Sequence, residues 1–349
     1  MSTFKRFLQY YKPYKGIFFM DLFCALIMCI VDLSFPLILS YCTGQFFLNS
    51  SNEILKGVFV LGIGLLVMYV IRALCRYYVS CQGHVMGANM ESDMRQDLFN
   101  QYQRLSFSYY DKHNTGVMMS RVVSDLFDIC EFAHHGPENL FISLFKIVGS
   151  FIILATIYWP LALILLAVTV VMMVFSYSQN KKMRRTFMEN RKKIGSVNAS
   201  LQDSLGGIRV VQSFANEDIE IDKFNHSNME FLESKKDNYR VMGTFQGGNN
   251  FFQGLLYVTI IVFGGLFIAN GDLNPIVLAT FALYINVFVS PIEVLVEFTE
   301  MFQKGFSGFR RFEEVMNEVP EIQDSKNAKD LENVSGNIDF DHVSFQYNE

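Results

Sequence analysis

Five polar residues near the C-terminal end of the chain follow the period of one α-helix face. They are Asn286, Ser290, Glu293, Glu297 and Glu300, set in an otherwise apolar run. Carboxylates are costly at membrane depth, so such a stripe is typical of a water-filled pathway or a partner contact. We predict that Asn286, Ser290 and Glu293 line a substrate cavity. For Glu297 and Glu300, a solvated face beyond the membrane is the alternative.

A second polar set opens the preceding apolar run. Asn250 and Gln253 are predicted to line the same cavity, whereas the adjacent Gly247 and Gly248 favour close helix packing. Lys146 stands alone in another apolar run. It could pair with a carboxylate of the stripe, or it could extend its ammonium group to the lipid headgroups.

Neither a metal site nor a catalytic residue is predicted. His134 and His135 are adjacent and cannot share one helix face, so we predict a solvated loop there rather than a metal site. The six cysteines form no CxxC pair. The chain contains no GxxxxGK[ST] loop to cradle phosphates, so we expect it to bind no ATP by itself.

Apolar runs must position these polar residues. The chain of 349 residues is 51% hydrophobic and 18% charged, whereas soluble domains are about a quarter charged. A bilayer core needs about 20 helical residues. We therefore predict an all-α membrane protein with six transmembrane helices, near residues 17–41, 54–80, 139–158, 161–177, 245–269 and 275–296.

The distribution of positive charge predicts the orientation. Of the 29 Lys and Arg, 25 fall in segments 1–15, 81–138, 178–244 and 297–349, and none falls in 42–53, 159–160 or 270–274. By the positive-inside rule, we predict that both termini are cytoplasmic. We expect a multi-pass protein of the plasma (inner) membrane. The net charge of −5 says nothing of nucleic acid, and no nucleic-acid partner is expected.

Two of the cytoplasmic connections keep a helical period beyond the membrane. In the first, the apolar residues recur at about 3.6-residue intervals: Val85, Met86, Met90, Met94, Leu98 and Leu105. A helix from Ile54 to Leu105 would be roughly 75 Å long at 1.5 Å per residue. The bilayer core takes about 30 Å. We therefore predict two helical hairpins whose tips, near residues 105–116 and 207–218, lie on the order of 40 Å outside it.

Three segments resemble those of the membrane half of ATP-binding cassette (ABC) exporters, the six-helix multidrug and lipid transporter type. They are YYDKHNTGVMMSRVVSDL at 109–126, LQDSLGGIRVVQSFANEDIEIDKF at 201–224 and FDHVSFQY at 340–347. The resemblance covers nearly the whole chain. It departs at Val117 and Asp203, which occupy positions often held by Glu.

The resemblance implies three parts: a transmembrane domain over 1–315, a linker over 316–337, and the first strand, 338–349, of an α/β nucleotide-binding domain that we expect to be truncated. It implies that the hairpin tips couple to nucleotide-binding domains, through Tyr109, Tyr110, Asp111, Val211, Phe214 and Glu217. Tyr347 would stack on the adenine of ATP, which with Mg is the cofactor expected of the full-length protein.

The function implied is ATP-driven export of an amphipathic, lipid-like or drug-like substrate by alternating access. The expected partners are the lipid bilayer, a second six-helix half, identical or not, and the nucleotide-binding domains. Three alternatives stay open. The chain could be a non-hydrolytic binding or regulatory subunit, or a non-functional fragment, or it could be a channel, for which the long hairpins would have no purpose.

Overall fold

The computed structural model describes residues 3–330, 332 and 335–346, and long α-helices dominate it. The helices are α1 Thr3–Phe7, α2 Lys15–Gly44, α3 Ser51–Tyr78, α4 His84–Arg104, α5 Phe107–Lys112, α6 Thr115–Ser120, α7 Leu126–Gly206, α8 Ile208–Ser213, α9 Glu217–Ala269 and α10 Pro275–Asn317. Two π-helical segments interrupt the regular geometry, Val79–Gly83 before α4 and Arg121–Asp125 before α7.

Every predicted apolar run lies in these long helical stretches. In the described part of the chain, five stretches are long and apolar enough to cross a membrane: Lys15–Leu48, Ser51–Arg104, Thr115–Gly206, Glu217–Ala269 and Pro275–Asn317. Two of them start on clear local signals. Ser50 and Glu53 form a capping box at α3, and Asn274 caps α10 with Pro275 in its first turn.

The chain reverses direction inside α7, at Tyr158. Its backbone is extended (φ −158°, ψ 96°), and Pro160 follows where a proline suits the first turn of a new helix. We call residues 126–157 α7a and residues 159–206 α7b. Antiparallel contacts join α7a to α10 (Asp125–Arg311, Phe151–Phe288), α7b to α9 (Ser176–Asn249, Ser204–Glu220) and α9 to α10 (Gly264–Leu278, Gln253–Asn286). These pairings are compatible only if α7a and α7b run in opposite directions.

Three apolar cores hold the helices of the described chain together, and the smallest joins α2 to the end of α3 through Cys24, Met28, Cys75 and Val79. The core of the first hairpin joins α4 to α7a, α10 and the N-terminal segment, through Met86, Met90, Met94, Leu98, Leu126, Ile129, Phe309, Phe312 and Phe7. The predicted helical face of 81–138 is thus confirmed, with the exception of Val85, which is 43% exposed. The second core lies among the apolar runs and contains Leu154, Leu161, Leu165, Leu256, Phe281, Tyr284 and Phe288.

The second hairpin, formed by α7b and α9, projects alone. Polar pairs join its legs in steady antiparallel register, from Thr186–Asn238 through Asn190–Ser234 to Lys193–Glu230. The legs extend some 30 residues beyond Ser176, on the order of 45 Å. The hairpin therefore places its tip far from the apolar runs.

Helix α3 is the least covered of the apolar helices. None of its most apolar window is buried within the described chain. Its outward side chains include Phe59, Val60, Ile63 and Leu66, each more than 60% exposed. An apolar surface that the chain itself does not cover must face lipid or another chain.

Candidate functional site

The tip of the first hairpin is the short helix α5, and its side chains divide between core and surface. Tyr109 is 7% exposed and stacks on His113 with ring centroids 4.0 Å apart. Burial raises the pKa of the Tyr109 hydroxyl, and the nearby Arg121 opposes this. Tyr110 donates a hydrogen bond from its hydroxyl to the Tyr102 carbonyl. Of the residues predicted to couple here, Asp111 and Tyr110 reach the surface and Tyr109 packs inside.

Phe107 is the most exposed aromatic residue of this tip, at 87%. It opens α5 and sits beside Ser108, which donates to Glu321 at 2.8 Å. Sequence reasoning missed Phe107. The signal that could have found it is its place just after Ser106, an N-cap type of residue, in a segment already predicted to be a tip.

The tip of the second hairpin is the short helix α8, which has no buried residue. Phe214 is the C-cap residue of α8 and is 73% exposed, and Val210 is 62% exposed. Val211 is half-buried and Glu217 is exposed at the start of α9. At the base of the tip, hydrogen bonds from Lys223 and Ser204 hold the pKa of Glu220 below its usual range.

The polar stripe of α10 lies on the uncovered face of that helix. Asn286, Ser290, Glu293 and Glu297 are all exposed, whereas Phe281, Tyr284, Ile285, Phe288, Val289 and Ile292 on the other side are buried. Glu300 pairs with Lys304 at 2.7 Å. The stripe therefore faces away from this chain's own core.

The structure brings Gln253 and Asn286 together across α9 and α10. The Gln253 amide donates to Asn286 Oδ1 at 3.2 Å, and the Tyr257 hydroxyl donates to the same oxygen at 3.3 Å. Asn250 is exposed and Asn249 is buried, accepting from Ser176 at 2.6 Å. Sequence reasoning did not single out Asn249 or Tyr257, because only tertiary packing shows which polar residue of α9 turns inward.

Lys146 pairs with a carboxylate, but not with one from the stripe. Its Nζ lies 2.6 Å from Asp32 Oδ2 on α2. Arg72 on α3 also binds Asp32, with Nε 2.7 Å from Oδ1 and Nη2 3.3 Å from Oδ2. Three apolar helices are thus joined by one carboxylate and two cations.

The predicted loop at His134 and His135 and the predicted strand near the C-terminal end differ from what the structure shows. The solvated loop predicted around His134 and His135 is wrong, because both residues lie in α7a and His134 is 4% exposed. The first strand is predicted over 338–349; its described residues, 338–346, form no strand, and Phe340 and Phe345 are about 80% exposed. A strand needs a paired neighbour, so this assignment stays a prediction. Tyr347 lies outside the described residues.

Comparison with known proteins assigns the chain to a family. A model of the ABC transporter transmembrane region matches residues 18–292. YwjA of Bacillus subtilis (strain 168), named as an uncharacterized ABC transporter ATP-binding protein, is 37% identical over 352 residues, covering 99% of this chain and 60% of the relative. The ATP-dependent lipid A-core flippase of Syntrophus aciditrophicus (strain SB) is 24% identical over 349 residues, with 100% and 58% covered. YgaD of Bacillus subtilis, named for multidrug export, is 26% identical over 355 residues, with 99% and 60% covered.

The class defined by the fold is a multi-pass helical membrane protein with long helical hairpins. The chain belongs to the ABC transporter transmembrane region family, as an exporter membrane domain. It spans about 60% of the length of the relatives it matches.

Proposed function

We propose that this chain is the membrane half of an ATP-driven exporter that works by alternating access. The observation that carries the proposal is the pair of short tip helices, α5 and α8, each presenting a phenylalanine to solvent. Phe107 and Phe214 are 87% and 73% exposed, at the far ends of two hairpins. Exposed aromatic side chains are typical anchors of protein interfaces, so each tip is suited to a docking partner.

The partner is a nucleotide-binding domain. The relatives are named as ATP-binding or ATP-dependent proteins, and they extend well beyond the length of this chain. In the full-length protein, ATP with Mg would bring two nucleotide-binding domains together. Continuous helices such as α7b and α9 would then transmit that motion from the tips to the apolar runs. Tyr110, Asp111, Val211 and Glu217 would support the two phenylalanines, and Tyr347 would stack on adenine.

The domain arrangement proposed is six transmembrane helices over 1–315, a linker over 316–337 and the start of a nucleotide-binding domain at 338–349. The reversal at Tyr158 supports counting α7 as two spans. Both termini and both tips would then be cytoplasmic, in the plasma membrane. The variants Gln212→Cys and Asn270→Cys test this topology. An impermeant thiol reagent added outside intact cells should label the cysteine at position 270 and not the one at position 212. Labelling at position 212 would contradict the topology.

The substrate pathway is proposed to form between two such halves. The uncovered faces of α3 and of the α10 stripe supply one wall of it. Asn286, Ser290, Glu293, Asn250 and Gln253 would give this wall its polar groups. An apolar cavity of about 500 Å³ between α2 and α3, lined by residues such as Leu37, Tyr41 and Leu65, adds a surface for an amphipathic, lipid-like or drug-like molecule.

The decisive experiment compares ATP hydrolysis with transport in the full-length protein reconstituted in liposomes. Phe107→Ala and Phe214→Ala should lower transport of a fluorescent phospholipid or dye by at least tenfold, about 1.4 kcal/mol of coupling. Phe99→Ala is the matched control, because Phe99 is 52% exposed on α4 but away from the tip. Undiminished transport in both tip variants would refute the coupling assignment.

Two other outcomes would favour the alternative functions. Ion flux through the wild-type protein without nucleotide would favour a channel. Absence of ATP hydrolysis in a correctly folded protein would favour a regulatory subunit.

A further inference from the structure

Three histidines from two helices meet beside the first π-helical segment. His84 begins α4, and His134 and His135 lie on α7a. One ring nitrogen from each can be chosen so that all three lie within 4.8 Å of one another. Two adjacent residues of α7a cannot share one face of that helix, but a site between two helices does not require this. His84, 50 residues earlier in sequence, supplies the third imidazole from a different helix.

The hydrogen bonding of His134 leaves one of its nitrogens ready to act as a ligand. Its Nδ1 lies 3.3 Å from the Cys130 carbonyl oxygen. A carbonyl only accepts, so Nδ1 carries the hydrogen and Nε2 carries the lone pair. That Nε2 is buried and has no hydrogen-bond partner, in a residue that is 4% exposed. Histidine ligands of metals commonly hold their second nitrogen in this way.

Two buried carboxylates lie beside the three histidines. Asp21 on α2 is 4% exposed, and its Oδ1 is buried without a hydrogen-bond partner. Glu138 is 6% exposed, with Oε2 3.7 Å from His135 Nδ1. Both interact electrostatically with His135 and with each other. Two buried carboxylates repel, and a divalent cation between them and the imidazoles would offset that repulsion.

Two glycines leave room beside the cluster, Gly83 at the end of the π-helical segment and Gly87 in α4. A methyl group at Gly83 would lie 3.2 Å from Asp21 Oδ1 and 3.7 Å from His134 Cδ2, and one at Gly87 would lie 3.2 Å from His134 Nδ1. The Asp21 carboxylate and the His134 ring therefore border the same small volume. The π-helical turn Val79–Gly83 directly precedes His84, and such turns are frequent at functional sites.

We propose that His84, His134 and His135, with Asp21, form a binding site for Zn²⁺ that ties α2, α4 and α7a together. Imidazole nitrogens with one carboxylate suit zinc, whereas magnesium and calcium prefer oxygen ligands. Nitrogens bound to one tetrahedral zinc are about 3.4 Å apart, given Zn–N distances of about 2.0–2.1 Å. The three nitrogens lie within 4.8 Å of one another, and a rotation of the exposed His84 side chain would bring its nitrogen to the spacing that zinc requires. Glu138 and Glu131 flank the His135 ring, with carboxylate oxygens 3.7 Å from Nδ1 and 3.8 Å from Nε2, so either can orient the ring once the other nitrogen binds the metal.

The test measures metal retention in the full chain purified with a tag that contains no histidine. Protein is stripped with a chelator, reloaded with zinc, passed through a desalting column and assayed for metal. Wild type should retain about one zinc per chain, and His84→Ala should retain less than about a tenth of that. His226→Ala is the matched control, because the His226 side chain is 80% exposed and far along the α7b and α9 hairpin, and it should retain zinc as wild type does. Asp21→Asn should bind zinc about 10-fold more weakly.

A second readout keeps the proposal falsifiable if a variant folds poorly. Cobalt bound in place of zinc should give the visible absorption of a tetrahedral complex in wild type and in His226→Ala, and zinc should displace it. Zinc, but not magnesium, should also raise the thermal midpoint of wild type. Zinc retention in wild type no greater than in His84→Ala would overturn the site. So would cobalt without tetrahedral absorption, which would identify the cluster as a network of shared protons instead.

Discussion

Removing the Asp32 carboxylate should destabilise the protein far more than removing Lys146. Asp32 binds both Arg72 and Lys146, so the cluster holds one anion and two cations. Asp32→Ala leaves two cations without a counter-charge among apolar helices. Lys146→Met leaves an ion pair of Asp32 and Arg72 whose net charge is zero, and this pair keeps both of its hydrogen bonds.

The size of the effect follows from burial. Breaking a buried ion pair by removing one partner costs about 3–5 kcal/mol. The Arg72 side chain is 36% exposed, whereas those of Lys146 and Asp32 are 20% and 19% exposed, so we expect the lower end, about 3 kcal/mol, for Asp32→Ala. Methionine in place of lysine suits an apolar surrounding, and Lys146→Met should change stability by less than about 1 kcal/mol.

Thermal midpoints of the purified variants in lipid nanodiscs would measure the difference. Asp272→Ala is the matched control, because Asp272 lies exposed in the turn between α9 and α10 and carries the same charge. Asp32→Ala should lower the midpoint clearly, and Lys146→Met and Asp272→Ala should not. Equal losses in Asp32→Ala and Lys146→Met would refute the charge-balance reasoning, because packing alone would then explain both.

Two further predictions concern helix packing and the cavity. Gly305→Ala should lower the thermal midpoint by the equivalent of about 1–3 kcal/mol, because the added methyl would lie 2.4 Å from Phe132 Cβ. Gly254→Ala meets nothing within 4 Å and should be neutral or stabilising by about 0.5–1 kcal/mol; a loss as large as that of Gly305→Ala would contradict the packing. Ser290→Trp should block transport in the full-length protein while leaving the thermal midpoint unchanged, since position 290 is exposed. Normal transport in that variant would remove the stripe from the pathway.

The helices could be predicted from sequence because their signals are local. Met86, Met90, Met94 and Leu98 recur with the helical period, and the structure buries all four. The turn at Asn274 and Pro275 is likewise encoded in a few neighbouring residues. Periodicity and caps depend on the chain within a turn or two, so one sequence suffices to read them.

The partners of polar residues could not be predicted, because they come from distant segments. Lys146 reaches Asp32, and His134 meets His84, across separations that no periodicity records. The resemblance assigns Tyr109 to the coupling contact, yet Tyr109 packs on His113 and Phe107 is the exposed ring of the tip. Which side of a six-residue helix turns inward is decided by the core beneath it, and the sequence of the tip does not contain that information.

The π-helical turn Val79–Gly83 contains one residue more than a regular α-helical turn, and this has a genetic consequence. Successive residues of an α-helix are about 100° apart around its axis. Deleting one codon in this turn would rotate all of α4 by about that angle. Met86, Met90 and Met94 would leave their core together, and His84 would swing away from α7a. A single in-frame deletion there would act like a set of simultaneous core substitutions, so the length of this turn should tolerate far less variation than its residue types do.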